Sequence, residues 1–114
     1  MCRLMMVCFI GILAITCVSG CSSLSQVKDA KAQYALGLLY FDGQYVEQSY
    51  VDAEKWFRMA AEQGNADAQY RLGSMYMNGE GIAQDDEEGL KWYYKAAEQG
   101  QKDALSLIRR SGYY

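Results

Sequence analysis

The chain has 114 residues, a length that suits one small domain, and carries 11 basic and 14 acidic side chains for a formal net charge of −3. This acidic balance disfavours nucleic acid and anionic lipid headgroups as partners. The chain contains no histidine, so the side chain that most often acts as a general base or a metal ligand is absent.

The first 21 residues predict a lipoprotein signal peptide. An apolar run of 15 residues, 4–18, follows Arg3 and is shorter than the roughly 20 residues of a membrane-spanning helix. A basic start, a short apolar stretch and small residues before a cleavage site are typical of signal peptides. The sequence VSGC at residues 18–21 resembles the lipobox of bacterial lipoproteins, which implies cleavage between Gly20 and Cys21 and a lipid anchor on Cys21 as the acylated first residue.

This interpretation divides the chain into a signal peptide (1–20), a lipidated cysteine with a short tether (21–27) and a folded domain (28–114). The serine that follows Cys21 implies sorting to the outer membrane, so we expect a lipid anchor on the periplasmic face of that membrane. An uncleaved N-terminal anchor with an incidental cysteine is the alternative. All four cysteines lie in the first 21 residues, so the domain has no thiol for a disulfide or a metal site.

The rest of the chain is an internal duplication. Residues 30–65 and 66–101 align without a gap at an offset of 36 residues, and 16 of the 36 positions are identical. A fixed period of this size is typical of stacked repeats in which each unit is one supersecondary element. Each unit is predicted to contain two helices.

The first helix of each unit has an apolar stripe at the spacing i, i+4, i+7 and i+8, which places four side chains on one face and predicts their burial. The stripes are Ala32, Leu36, Leu39 and Tyr40 in the first unit and Ala68, Leu72, Met75 and Tyr76 in the second. Gly37 and Gly73 lie beside the stripes, where their recurrence predicts a close approach of two helices.

The boundaries of the helices repeat as well. The pairs that mark them are turn glycines after the first helix (Gly43, Gly79), N-caps (Ser49, Asp85), acidic residues three positions later (Asp52, Glu88) and C-cap glycines (Gly64, Gly100). Each second helix carries a tryptophan, Trp56 or Trp92, which we predict to be in the core. A partial third unit predicts a capping helix over 102–112, with Ala104 and Ile108 covering the second unit.

The pattern A-x-A-Q-Y-x-L-G-x-x-Y-x-x-G, followed by K-W-[FY] and A-A-E-Q-G, resembles the Sel-one-like repeat, a relative of the tetratricopeptide repeat. The resemblance implies an all-α fold: a short right-handed α-solenoid of two 36-residue helix-turn-helix repeats with a C-terminal capping helix. It also implies a non-enzymatic adaptor or scaffold that binds a protein or peptide in the concave face of its repeats and needs no cofactor.

In this family the first helices line the concave surface, so residues opposite the apolar stripes are the candidates for partner binding. They are Tyr34, Ala35, Leu38, Phe41, Tyr70, Arg71, Ser74 and Met77. Positions that differ between the units, Ala35/Arg71 and Leu38/Ser74, are the better candidates for specificity. The alternative is that the apolar members pack against neighbouring helices or the connector, which we favour for each of them taken singly and for the two tyrosines.

Other functions have less support. An immunity lipoprotein that neutralises a toxin enzyme delivered to the periplasm is the main alternative, because a small acidic protein suits a basic active site. A match to S-x-x-K at residues 25–28 lacks the motifs that accompany it in penicillin-binding proteins. The acidic run 85–88 fits the first turn of a helix better than a cation site. Two repeats are fewer than the usual three, which predicts marginal stability or self-association.

Overall fold

The structure, a computed structural model, describes residues 27–112, and within that range it contains five helices and no strand. The helices are α1 (Ala30–Asp42), α2 (Tyr50–Glu62), α3 (Ala66–Asn78), α4 (Asp86–Glu98) and α5 (Lys102–Ser111). Each helix packs against the next one in the chain. The predicted signal peptide, Cys21 and the tether up to residue 26 lie outside the described residues. The five helices and their packing order confirm the predicted all-α repeat architecture.

The predicted helix starts are formed by side-chain caps. The Ser49 hydroxyl accepts a hydrogen bond from the backbone N–H of Asp52 at 3.2 Å, and the Asp85 carboxylate accepts one from the N–H of Glu88 at 3.1 Å. These bonds satisfy backbone donors that have no partner inside the helix. The carboxylate of Asp52 pairs with Lys55 at 3.5 Å, so it supports the first turn through a side-chain contact as well.

The helix ends follow two patterns. Gly43 and Gly79 have φ of 70°, the left-handed conformation predicted after α1 and α3. The C-caps predicted for α2 and α4, Gly64 and Gly100, were one residue late, because the C-caps are Gln63 and Gln99. The glycine that follows each of these caps takes up the left-handed turn, and the next helix begins two residues later.

Close contact between the two helices of each repeat depends on glycine. A Cβ atom added to Gly37 would lie 2.5 Å from the ring of Phe57, and one added to Gly73 would lie 2.9 Å from the carbonyl oxygen of Gly89. Phe57 is completely buried between α1 and α2. The recurrence of glycine at the two positions therefore reflects close helix packing, as predicted.

Three of the four stripe residues are buried in the second repeat and none in the first, so the predicted burial was wrong for the first repeat and for Tyr76. Leu72 and Met75 on α3 are at most 1% exposed, whereas their equivalents Leu36 and Leu39 on α1 are half-buried. The reason is position in the stack: α3 lies between α2 and α4, but no helix precedes α1 among the described residues.

The tryptophans differ in the same way as the stripes. Trp92 is 6% exposed and belongs to the same core cluster as Ala53, Phe57 and Ala60. Its equivalent Trp56 is half-buried, so the core assignment holds for the second tryptophan and was too strong for the first. Apart from Tyr40 and Tyr76, which are both half-buried, each stripe or tryptophan pair that we expected to be buried is thus less covered at the α1 end.

At the other end, α5 acts as the predicted cap. Ala104 and Ile108 are 0% and 4% exposed and lie against the second repeat. Arg109 and Arg110 occupy the last turn of α5, where positive charge interacts favourably with the helix dipole. The helix ends at Gly112, whose φ of 72° permits the left-handed cap.

Candidate binding surface on α1 and α3

The eight predicted binding residues lie on α1 and α3 in two equivalent sets. Ala35 is exposed, and the other seven are half-buried. Half-burial means that each side chain contacts its own repeat on one side and leaves part of its surface accessible. The two sets therefore form a surface of side chains that are partly packed and partly accessible.

The aromatic members are held in place by the second helix of their repeat. The ring centroid of Tyr34 lies 5.7 Å from that of Phe57, and Phe41 lies 6.2 Å from the same ring. The ring of Phe41 also lies 5.0 Å from that of Tyr50 at the start of α2. These contacts are in the range of favourable aromatic pairs and agree with the packing interpretation for these rings.

The second repeat has the same arrangement with a polar addition. The ring of Tyr70 lies 5.5 Å from that of Tyr93. Burial raises the pKa of Tyr93, while a hydrogen bond with Ser74 opposes this shift. Since the pKa of Tyr93 lies above the ordinary value of a phenol, its hydroxyl stays neutral at physiological pH. Ser74 therefore adds a polar contact between α3 and α4 at this surface.

Arg71 connects the two repeats. Its guanidinium carbon lies 6.0 Å from the ring centroid of Phe41, within the range of a cation–π contact. Arg71 stands on α3 and Phe41 on α1, so this contact makes one continuous surface from the two first helices. The equivalent position in the first repeat, Ala35, brings no charge. Arg71 is thus the one cation among the eight predicted binding residues, and it lies beside the ring of Phe41.

An apolar cleft of about 90 Å³ continues the surface toward α5. Its lining residues are Met77, Leu90, Tyr93, Leu107, Ile108 and Ser111. Met77 was predicted from the sequence, but Leu90 and Leu107 were missed. A signal for Leu90 was present, because it stands where the first repeat has Glu54 and so is another difference between the repeats.

Two polar networks were also missed by sequence reasoning. Arg58 on α2 pairs with Glu54 one turn earlier and donates a hydrogen bond to the hydroxyl of Tyr76 on α3. Although burial opposes the charged form, the hydrogen bonds to Tyr76 and Glu54 raise the pKa of Arg58 above its usual value. The network joins the two repeats through a partly buried charge.

The second network consists of glutamine pairs that repeat with the chain. The side-chain amide of Gln63 donates to the side-chain oxygen of Gln33 at 2.6 Å, and Gln99 donates to Gln69 at 2.8 Å. All four positions are identical between the repeats, and the bonds satisfy polar groups close to the core. These glutamines are therefore structural.

Residues 27–112 contain no group of three or more acidic, cysteine or histidine side chains that could hold a metal ion. Within the same range, no helix has the length and apolar character needed to cross a membrane. The features that remain are a helical surface with aromatic, apolar and cationic groups and an adjoining cleft.

Such a stack of helix pairs, with surface groups on the first helix of each pair, defines a helical-repeat module for protein–protein interaction. The Sel1 repeat family matches residues 30–65 and 66–101, which is more than half of the chain. The chain belongs to the Sel1 repeat family. Sel1 repeats are protein–protein interaction modules, and proteins built from them are generally non-enzymatic scaffolds.

Solved structures of similar proteins share this fold. A Sel1 repeat protein from Oxalobacter formigenes is 43% identical over 71% of this chain, with a TM-score of 0.70. The protein c5321, a protective antigen present in uropathogenic Escherichia coli strains and displaying an SLR fold, is 41% identical over 80% of this chain, with a TM-score of 0.70. Cysteine-rich protein B of Helicobacter pylori, at 23% identity over 75% of this chain and a TM-score of 0.70, shows the fold alone.

These proteins are longer than this chain. The chain spans 32% of the Oxalobacter protein, 20% of c5321 and 65% of the Helicobacter protein. A comparison with curated proteins found no match.

Proposed function

We propose that the protein is an adaptor that holds a segment of a protein partner on the surface formed by α1 and α3. The observation that carries the proposal is the contact of Arg71 with Phe41, which joins the first helices of the two repeats into one surface. Leu38 lies on the same side of α1, and the cleft beside Met77 extends the surface toward α5. Aromatic, apolar and arginine side chains together are the groups enriched where proteins bind each other.

The chemistry of the surface indicates what the partner segment presents. Leu38 and the cleft beside Met77 offer apolar contacts, so the segment carries apolar side chains that can be buried there. Arg71 has its guanidinium beside an aromatic ring, where a carboxylate can form a charge-assisted hydrogen bond with it. The expected ligand is therefore a short apolar segment with an acidic side chain.

Affinity capture from detergent-solubilised cell envelope tests the proposal. The variants Arg71→Glu and Leu38→Asp are expected to lose a protein that the wild-type chain retains, because they reverse the charge and remove the apolar contact of the surface. Two matched variants on α2, Lys55→Glu and Val51→Asp, make the same changes at exposed positions outside the surface and are expected to retain it. Retention of every partner by all four variants would exclude the surface. Recovery of a toxin enzyme as the partner would favour the immunity function over the adaptor function.

The location of the adaptor rests on the sequence of the leader. We propose that the chain is processed at Cys21 and held by lipid at the periplasmic face of the outer membrane. The variant Cys21→Ala is expected to lose the acyl chains and to leave the membrane fraction, which fractionation and immunoblotting would measure. A processed Cys21→Ala protein that stays in the membrane fraction would contradict the lipid anchor.

A further inference from the structure

The end of the stack at α1 carries an apolar face that the rest of the described chain leaves half-exposed. This N-terminal end face consists of Ala32, Leu36, Leu39, Tyr40 and Trp56. In the second repeat the equivalent positions on α3 pack against α2. The protein therefore contains its own example of how such a face is covered: α2, whose Ala61 carbonyl accepts a hydrogen bond from Gln69 of α3 and whose buried residues share one core cluster with Ala68, Leu72 and Met75.

The contact between α2 and α3 also includes a charged side chain. Arg58 of α2 donates a hydrogen bond to the hydroxyl of Tyr76 on α3, and its guanidinium carbon lies 5.8 Å from the centroid of that ring. Tyr40 is the equivalent of Tyr76 in the first repeat. Arg58 lies beside Tyr76 of the second repeat. At the end face, no cation of α1 or α2 in the described chain occupies the equivalent position beside Tyr40.

The surface beside Tyr40 favours a cation. An open depression of about 610 Å³ lies there. It is lined by Tyr40, Val46, Glu47, Gln48, Ser49 and Asp52. Glu47 stands where the second repeat has Ala83, so this acidic group belongs to the end face alone. The connector that carries Glu47 is held to α1, because the Gln48 amide donates to the carbonyl oxygen of Phe41 at 2.8 Å.

One polar group of α1 is already satisfied at this end. The side-chain amide of Gln33 donates to the carbonyl oxygen of Val27 at 2.6 Å. Its equivalent Gln69 donates to the carbonyl oxygen of Ala61 on α2. Val27 thus replaces the preceding helix near the start of α1, and the open part of the face begins at Leu36.

Tyr45 restricts which helix can cover the face. It has φ of 65°, a left-handed conformation that is unfavourable for a tyrosine, and it is 97% exposed. Its equivalent Gly81 lies against Tyr50, the first residue of α2, where an added Cβ would lie 2.6 Å from the Cβ of Tyr50 and 2.8 Å from its backbone carbon. A helix placed over α1 in the way that α2 lies over α3 would collide with Tyr45 at its first residue. A covering helix must therefore begin later than α2 does.

We propose that the N-terminal end face is a second docking site, separate from the surface on α1 and α3, that takes the first turns of an α-helix of another polypeptide. The helix carries an arginine within about its first two turns, or roughly seven residues. The arginine lies against Tyr40 and Glu47, and small apolar residues after it cover Leu36 and Leu39, as Ala60 and Ala61 follow Arg58. A preceding repeat stacked as the first repeat stacks on the second would meet Tyr45 at the first residue of its second helix.

Peptides made from the sequence of α2 provide the probe. The short peptide comprises residues 52–65 and places the arginine at its seventh position, and the long peptide comprises residues 48–65 and includes Tyr50. Both carry a helix staple between positions 55 and 62, which are exposed in the protein. Binding to the full chain in detergent micelles is measured by fluorescence anisotropy. The short peptide is expected to bind, and its Arg58→Glu form to bind at least about tenfold more weakly, as expected for loss of a charged hydrogen bond.

Variants of the protein locate the bound peptide. Leu36→Lys and Glu47→Lys are expected to weaken binding of the short peptide, whereas Glu87→Lys, an exposed charge reversal on α4, and Arg71→Glu are expected to leave it unchanged. Tyr45→Gly is expected to let the long peptide bind as tightly as the short one. The Glu47→Lys variant keeps the test valid if Leu36→Lys perturbs the fold.

Four results would overturn the proposal. Failure of the short peptide to bind would remove the site. Equal binding of the arginine and glutamate peptides, or binding that ignores both Leu36→Lys and Glu47→Lys, would mean that the peptide displaces α2 or binds elsewhere. A dimer of the full chain in sedimentation that becomes monomeric in both variants would show that a second copy of the chain occupies the face.

Discussion

Replacing Phe57 by alanine is expected to lower the free energy of unfolding by about 3–5 kcal/mol. Phe57 is completely buried, and its ring packs on Tyr34, Phe41 and the bare backbone of Gly37. The cavity would be bounded by Gly37, which has no side chain, and by the ring of Phe41, which is held by Tyr50, so little can move in to fill it. Small domains have total stabilities near the low end of about 5–15 kcal/mol. A substantial unfolded fraction is therefore expected, measurable by circular dichroism in urea.

The control for this variant is Tyr45→Ala, which also removes an aromatic ring. Tyr45 is 97% exposed, so no cavity forms and the free energy of unfolding should change by no more than about 0.5 kcal/mol. A Phe57→Ala protein with nearly wild-type stability would show that the contact between α1 and α2 is not the core of the first repeat.

Adding one methyl group at Gly73 is the second large effect expected. In an exposed helix, alanine is more stable than glycine by about 1 kcal/mol. At Gly73 the added Cβ would lie 2.9 Å from the carbonyl oxygen of Gly89, a backbone atom that cannot rotate away. Overpacking of this kind costs about 1–3 kcal/mol, so Gly73→Ala is expected to destabilise the protein despite its better helix propensity.

A reversed substitution on α1 gives the comparison. Ala35 is exposed in the middle of its helix, so Ala35→Gly should destabilise by about 1 kcal/mol through propensity alone. Both variants are thus expected to melt below the wild type, for opposite reasons. A Gly73→Ala protein that melts above the wild type would indicate that α3 and α4 are not in close contact at this position.

Local features of the fold were predictable from the sequence because they depend on a few neighbouring residues. The Ser49 and Asp85 caps and the left-handed Gly43 and Gly79 follow from the chemistry of those residues at helix ends. The glycine at positions 37 and 73 also indicated a close approach without the identity of the neighbour. The 36-residue period supplied the stacking order of the helices.

The exposure of each repeated position was not predictable from the period, because a repeat pattern describes a unit with neighbours on both sides. Leu36 and Leu72 are identical in the sequence, but they differ in burial since only α3 is preceded by a helix among the described residues. Tyr45 and Gly81 in the connectors also have different surroundings, because Gly81 lies against Tyr50 of the preceding repeat. Differences between equivalent residues became interpretable only when the ends of the stack were known.

The candidate surface was predictable in outline only. The helical spacing placed Arg71, Leu38 and Met77 on the first helices, but the contact of Arg71 with Phe41 joins residues 30 positions apart and depends on how the repeats twist. The cleft formed by Leu90 and Leu107 with Met77 involves three helices. Contacts between different repeats depend on the packing angle, which one repeat unit does not contain.

Site-specific photocrosslinking in cells tests the central claim most directly. A photoreactive amino acid at Leu38 and, separately, at Ser74 should form a crosslink to one and the same protein, because both positions lie on the surface joined by Arg71. The same group at Glu62, an exposed position at the end of α2, serves as the control and should not form that crosslink. Crosslinks to one shared protein from Leu38 and Ser74 are the predicted result. Absence of a crosslink at both positions, or the same crosslink from Glu62, would contradict the proposal that α1 and α3 form the binding surface.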